Sequence, residues 1–71
     1  MKTLHEYKGV DKHANRSALV VHDGNDYGVI YKIDDIEEYR VFPDRSTHYV
    51  EDAAENWVLG VFNLKDLKTT Y

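Results

Sequence analysis

Hydrophobic residues form short runs in the first part of the chain and follow a helical period further on. Three runs rich in β-branched and aromatic residues cover residues 18–22, 27–33 and 39–42. Runs of this length and composition are typical of β-strands, and the Asp, Gly and Asn residues between them are those that turns favour. The pattern predicts a three-stranded antiparallel meander over residues 18–42, ended by Pro43.

The clearest helical pattern follows Pro43. Apolar residues recur at spacings of three and four and form one stripe, namely Val50, Ala53, Ala54, Trp57, Val58, Val61 and Phe62. This period predicts an amphipathic helix over residues 48–62, with Ser46 or Thr47 as its N-cap. Gly60 either interrupts the helix or ends it as the C′ residue, in which case Val61–Leu64 could form a fourth strand.

The register of each predicted hairpin decides which side chains share a sheet face, because a slip of one residue reverses every side chain. A turn centred on Gly24 and Asn25 places His22 opposite Tyr27. The second hairpin has two solutions. A two-residue turn at residues 34–35 would place Glu38 and Arg40 among the core residues. A five-residue loop over residues 34–38 avoids this, and we favour it.

The favoured register defines two sheet faces. The more apolar face, which the helix is expected to cover and where Trp57 should pack near Val29 and Tyr31, also includes Tyr39 and Val41. The second face then carries Leu19, Val21, Ile30 and Phe42, beside Lys32 and Arg40. An apolar patch of this kind usually marks an interface. It could instead be covered by apolar residues near the termini, namely Leu4, Tyr7, Leu64 and Leu67.

The predicted fold class is therefore α+β, a three-stranded or four-stranded antiparallel β-meander with one amphipathic helix packed on one face. With 71 residues the chain has room for a single domain. Residues 1–16 are polar and are predicted to be an irregular segment, either a helical turn or an edge strand. Residues 65–71 are predicted to be a tail.

Composition restricts location and chemistry. The chain has no cysteine, which excludes disulfides, thiolate metal sites and cysteine nucleophiles and suits a cytoplasmic location. No apolar run approaches the roughly 20 residues of a membrane span, and no signal peptide is evident. The four histidines lack zinc-ligand spacing, the glycines form no phosphate loop, and no nucleophile elbow surrounds Ser17 or Ser46. We expect no enzymatic activity, cofactor, metal or membrane association.

Charge is unevenly distributed along the chain. The formal net charge is −4, and residues 23–55 contain ten of the thirteen acidic residues. The densest series is Asp34, Asp35, Glu37, Glu38 and Asp44, followed on the helix by Glu51, Asp52 and Glu55. These carboxylates either solvate the hairpin and protect a sheet edge, or imitate nucleic-acid phosphates and dock on a basic protein surface.

Three antiparallel strands and one helix over residues 18–62 are similar in topology to AP2-type and integrase amino-terminal DNA-binding domains. They also resemble the bacterial cell-division activator CedA. No sequence motif of these families is matched. The resemblance implies DNA binding through basic sheet residues, for which Lys32, Arg40 and Arg16 are the candidates. The many acids in the same region make nucleic acid the less favoured partner.

The sequence as a whole favours a small acidic, non-enzymatic binding protein that docks on a partner protein and modulates it. Compactness, acidity and the lack of catalytic groups are what a phage-encoded inhibitor would show. The predicted partner has a basic surface, and the second sheet face could also form a homodimer. The predicted partner-binding residues are Asp34, Asp35, Glu37, Glu38, Asp44, Leu19, Val21, Ile30 and Phe42.

Overall fold

The computed structural model describes residues 1–63 as a four-stranded antiparallel sheet with one helix packed on it. The strands lie in the sheet in chain order: β1 (Lys2–Lys8), β2 (Arg16–His22), β3 (Tyr27–Ile33) and β4 (Ile36–Phe42). The helix α1 covers Thr47–Val58, and a short 3₁₀ turn, Asp11–His13, lies between β1 and β2. The predicted α+β meander with a single helix is confirmed, and the fourth strand precedes the other three.

The additional strand, β1, arises from the segment predicted to be irregular. Its pairing with β2 shifts between Thr3 and His5, so Leu4 is an extra residue in the ladder. A bulge of this kind breaks the two-residue alternation of a strand. Leu4 and Tyr7 therefore both pack against the core on the helix side of the sheet. Their three-residue spacing, which suggested a helical turn, results from the bulge. Neither residue covers the opposite face.

The β2–β3 hairpin has the predicted register, with His22 opposite Tyr27 and Val20 opposite Val29. Its turn is held by Asp23, whose carboxylate accepts the backbone N–H groups of Asn25 at 2.8 Å and Asp26 at 2.9 Å. Hydrogen bonds from the backbone of Asp26 and Asn25 lower the pKa of Asp23. The ionised carboxylate is thus the form that fits this turn.

The β3–β4 hairpin has the alternative register with the two-residue turn and not the favoured one with the five-residue loop. A two-residue turn at Asp34 and Asp35 places Ile33 opposite Ile36, and Asp34 adopts a φ of 52°. This reverses the predicted positions of four β4 side chains. Phe42 and Arg40 lie on the helix side of the sheet, whereas Tyr39 and Val41 lie on the other side.

The position of α1 explains why a charged strand face is tolerated there. The helix packs mainly on β2 and β3 and less on β1, whereas β4 meets it near its end, where Phe42 packs edge-on against Tyr49. Glu38 and Arg40 are consequently half-buried beside the core and not inside it. The prediction failed because it assumed that one helix covers every strand of the sheet.

Trp57 holds the helix to the sheet. It is fully buried, and its ring centroid lies 5.3 Å from that of Tyr31 in an edge-on arrangement. The indole Nε1–H donates to the carbonyl oxygens of Ser17 at 3.0 Å and Lys32 at 3.2 Å, which joins α1 to β2 and β3. The predicted stripe is buried along its first part, at Val50, Ala54, Trp57 and Val58.

The helix begins and ends with recognisable caps. The Ser46 hydroxyl accepts the N–H of Tyr49 at 3.4 Å. At the other end Gly60 has a φ of 79°, its N–H donates to the carbonyl of Trp57, and the N–H of Val61 donates to the carbonyl of Asn56. These are the two bonds of a Schellman motif, so the helix ends at Val58 and not at residue 62. Residues 61–63 are not a strand, and residues 64–71, including the predicted tail, lie outside the described residues.

Candidate protein-binding site

The sheet face opposite α1 is the candidate interface, because no described helix or strand packs on it. We call it the open face. The strand pairing arranges its side chains in three rows that cross all four strands. From β1 to β4 these rows are Thr3, Val21, Gly28 and Val41; Glu6, Leu19, Ile30 and Tyr39; and Lys8, Ser17, Lys32 and Glu37.

The first two rows make the centre of the open face apolar. Tyr39 is 42 % exposed and Val41 is 39 % exposed, while Val21 is only 1 % exposed and offers no surface to a partner. A Cβ atom at Gly28 would lie 2.7 Å from Cε1 of Tyr39, so the tyrosine ring lies directly over this glycine. Strand β4 therefore supplies the apolar groups that protrude most from this face.

Acidic groups lie at both ends of the open face. At one end Asp23 and Asp26 form the β2–β3 turn, beyond the row that contains Gly28 and Val41. Burial and the carboxylates of Asp23 and Asp26 raise the pKa of Tyr39. At the other end Glu37 is paired across the strands with Lys32, next to the Asp34–Asp35 turn. The arrangement is an apolar centre between two acidic ends.

Asp34 is held in place by the loop that connects β1 and β2. The Asn15 side-chain amide donates to the Asp34 carboxylate at 3.3 Å and 3.4 Å. The backbone N–H of Asp34 also donates to the carbonyl of Asn15 at 3.1 Å. This acidic turn is therefore fixed relative to the sheet and does not project as a loose loop.

The predicted acidic series does not form one surface. Glu38 lies opposite Tyr31 on the helix side, and Asp44 lies in the connection before α1 with a φ of 61°. The helix acids form a separate group beside β1. Glu51 Oε2 is 3.2 Å from Nε2 of His5, and burial together with Glu51, Glu55 and Asp52 raises the pKa of Tyr7.

The three cations predicted for DNA binding are not brought together. Arg16 is only 8 % exposed, and its guanidinium donates to the carbonyls of Trp57 and Phe62 and to Oδ1 of Asn63. Arg40 lies on the helix side of β4 and has a buried Nε. Lys32 alone of the three remains on the open face. The predictions for Arg16 and Arg40 were thus wrong in placing them on an accessible basic surface.

Phe42, predicted to bind a partner, is a core residue with 4 % exposure. Tyr39 and Val41, which the sequence analysis assigned to the core, take its place on the open face. The signal that could have found them is the Asp34–Asp35 pair between two apolar runs, since a two-residue turn fixes the register.

A shallow cleft of about 230 Å³ lies at the end of β4 and is lined by Val41, Phe42, Pro43 and Arg45. It is smaller than the roughly 300–1,000 Å³ of typical ligand pockets. Within residues 1–63 no three metal-ligating side chains come together. No helix in that range is long and apolar enough to cross a membrane.

Comparison of the chain with protein-family models, with curated proteins and with solved structures finds no match. The similarity to sheet-based DNA-binding domains therefore stays a prediction from topology, and topology alone does not assign a function. The fold and the site define a small four-stranded meander with one helix and a partly apolar sheet face on which none of the described elements packs.

Proposed function

We propose that this protein is a small non-enzymatic binding domain that docks through its open face on a basic surface of a partner protein and modulates that partner. The observation that carries the proposal is the exposure of Tyr39 and Val41, at 42 % and 39 %, on a face with no described cover. Tyrosine is enriched in interfaces because its ring buries a large area while its hydroxyl remains hydrogen-bonded.

The acidic ends of the open face support a basic partner. Asp23 and Asp26 form the turn beyond the row of Gly28 and Val41, and Glu37 lies in the row on the other side of Tyr39. Carboxylates at the rim of an apolar patch accelerate the approach of a positively charged surface, and their effect weakens as salt screens them. The apolar centre supplies affinity, and the acids supply orientation and association rate.

DNA binding by the sheet is the alternative. It has less support, because of its three candidate cations Arg16 is buried, Arg40 lies on the helix side, and Lys32 is opposite Glu37. A phosphate-binding protein loses affinity steeply as salt rises. We expect no binding of generic duplex DNA at physiological salt, and binding that is lost on Lys32→Glu would favour the alternative.

The experiment compares two tyrosines of equal exposure. Tyr39 and Tyr49 are both 42 % exposed, but only Tyr39 lies on the open face, since Tyr49 is in α1 and packs edge-on against Phe42. Proteins captured from a bacterial lysate by the immobilised parent would be compared with those captured by Tyr39→Ala and by Tyr49→Ala. We expect a specific partner that is lost with Tyr39→Ala and retained with Tyr49→Ala. A partner that is lost with both variants, or retained with both, would contradict docking through the open face.

A second comparison tests the acids with that captured partner. The combined variant Asp34→Asn, Asp35→Asn and Glu37→Gln should slow association and reduce its dependence on salt. The control, Asp52→Asn with Glu55→Gln, neutralises acids on the helix side and should leave the association rate unchanged. Equal rates for all three proteins would mean that the hairpin acids only solvate the turn.

A further inference from the structure

Within residues 1–63, strand β4 is an edge of the sheet with no strand on its outer side. It pairs with β3 on one side only, and all seven of its residues follow the ladder without a shift. Edge strands are normally protected by bulges, prolines or charged side chains, lysines above all. The other edge, β1, has the bulge at Leu4 and a lysine at each end. Strand β4 has no bulge or proline, and its charged residues, Glu37, Glu38 and Arg40, include both signs and can therefore pair with those of a second β4.

The backbone groups of β4 that point away from the sheet can be identified. A strand directs its N–H and C=O groups alternately to its two neighbours. The hydrogen bonds of Asp26 with Asp23 and of Asp34 with Asn15 show that the even-numbered residues flanking β3 face β2. The odd-numbered residues of β3 therefore face β4, and their partners in β4 are even-numbered. The outward N–H and C=O groups of β4 are those of Glu37, Tyr39 and Val41.

These positions restrict how a second copy of the chain could pair with β4 about a two-fold axis. Registers centred on residues 37, 38 or 40 set a glutamate opposite its own copy or an arginine opposite its own copy. A register centred on Val41 sets the outward Tyr39 opposite Pro43, which has no N–H. The register centred on Tyr39 avoids both faults, and it sets Glu38 of each copy opposite Arg40 of the other.

We infer that β4 is a homodimer interface, in which two β4 strands pair antiparallel with Tyr39 facing Tyr39 of the second copy. In this register Glu38 and Arg40 occupy a pair without backbone hydrogen bonds, where facing side chains are closest. Within residues 1–63 neither residue makes an ion pair, and Nε of Arg40 is buried with no hydrogen-bond partner. In the dimer each Glu38 faces Arg40 of the other copy, so two pairs of opposite charges form.

The dimer has one continuous eight-stranded sheet with both helices on the same side, because the two-fold axis is perpendicular to the sheet. The row of Leu19, Ile30 and Tyr39 continues into the same row of the second copy on the open face. The inference does not depend on the proposed function, since Glu38 and Arg40 lie on the helix side.

Charge exchange tests the inference. Sedimentation velocity over a range of concentrations measures the dimer, and we expect a dissociation constant of roughly 10 µM to 1 mM, as for other small interfaces. Glu38→Arg or Arg40→Glu alone sets like charges opposite each other twice and should weaken the dimer by about tenfold or more. The double variant restores both pairs and should dimerise like the parent.

Mixing the two single variants provides the sharpest result. A heterodimer of Glu38→Arg with Arg40→Glu has opposite charges at all four positions, so native mass spectrometry should show it in excess over either homodimer. Asp52→Arg, which makes the same charge change as Glu38→Arg but on α1, is the control and should dimerise like the parent. Each variant must keep the parent's cooperative melting. A parent that stays monomeric at every concentration, or single variants that dimerise as well as the parent and form no excess heterodimer, would overturn the inference.

Discussion

Arg16 shows how one residue can join the start of a strand to the end of a helix. Its guanidinium donates to the carbonyls of Trp57 at 3.1 Å and Phe62 at 2.7 Å and lies 4.4 Å above the Trp57 ring centroid. The last carbonyls of a helix lack partners within it, and the negative end of the helix dipole favours a cation. Arg16 is therefore a cap for α1 that is supplied by β2.

Replacing Arg16 by lysine should lower the free energy of unfolding by about 1–3 kcal/mol, because an ammonium group reproduces neither the forked hydrogen bonds nor the stacking. Arg45→Lys is the matched control. Arg45 is an exposed arginine that also lies over an aromatic ring, that of Tyr49, and its replacement should change stability by less than about 0.5 kcal/mol. Urea denaturation followed by the fluorescence of the single tryptophan measures both. Similar values for the two variants would contradict the capping role.

At the scale of elements, the register of the β3–β4 hairpin is the feature that the sequence pattern did not determine. Strands β2 and β3 and the turn between them were predictable from composition, because Asp-Gly-Asn-Asp between apolar runs is a strong turn signal. Strand β1 was not, because its bulge breaks the alternation of apolar and polar residues. The register of the β3–β4 hairpin depended on how many strands the helix covers. A helix is about 10 Å across and strands are about 4.8 Å apart, so one helix covers about two strands. Glu38 and Arg40 can therefore lie on the helix side of β4, because the helix does not cover this strand.

The end of α1 depends on a contact between Gly60 and the β1–β2 connection. A Cβ atom at Gly60 would clash with Cε1 of the His13 ring. Gly60→Ala should therefore destabilise the parent by about 1 kcal/mol more than it destabilises a His13→Ala protein, where the obstructing ring is absent. Gly24 also has a positive φ but has no atom within 4 Å of an added Cβ, so Gly24→Ala should cost the same in both backgrounds. A double-mutant cycle from urea denaturation gives both differences, and equal coupling for the two glycines would refute the contact.

At the scale of the whole molecule, the sequence predicted the fold class and the buried stripe but not the candidate site. The stripe was readable because a helix with one buried face repeats in sequence. The positions of Tyr39 and Phe42 were not, because they depend on a register that the apolar pattern alone did not determine. The role of Arg16 depends on a contact 41 residues away in sequence, and no local pattern contains it.

Trp57 connects the helix to both central strands, so its removal should affect the entire domain. Trp57→Ala should lower the free energy of unfolding by about 3–5 kcal/mol, which is most of the stability of a domain this small. Thermal unfolding followed by circular dichroism should then lose its cooperative transition. Tyr49→Ala, on the same helix but 42 % exposed, should keep it. A Trp57→Ala protein that melts within a few degrees of the parent would contradict the packing described above.

The order of elements along the chain has a consequence during synthesis on the ribosome. The four described strands precede α1. Each pairs with its neighbour in sequence, so the sheet closes only short loops as it forms. Val20, Val29 and Tyr31 nevertheless face water until the segment around Trp57 has been translated. Exposed apolar surface and unpaired strand edges favour aggregation. The nascent chain is therefore most vulnerable in the interval between closure of the last hairpin and arrival of the helix.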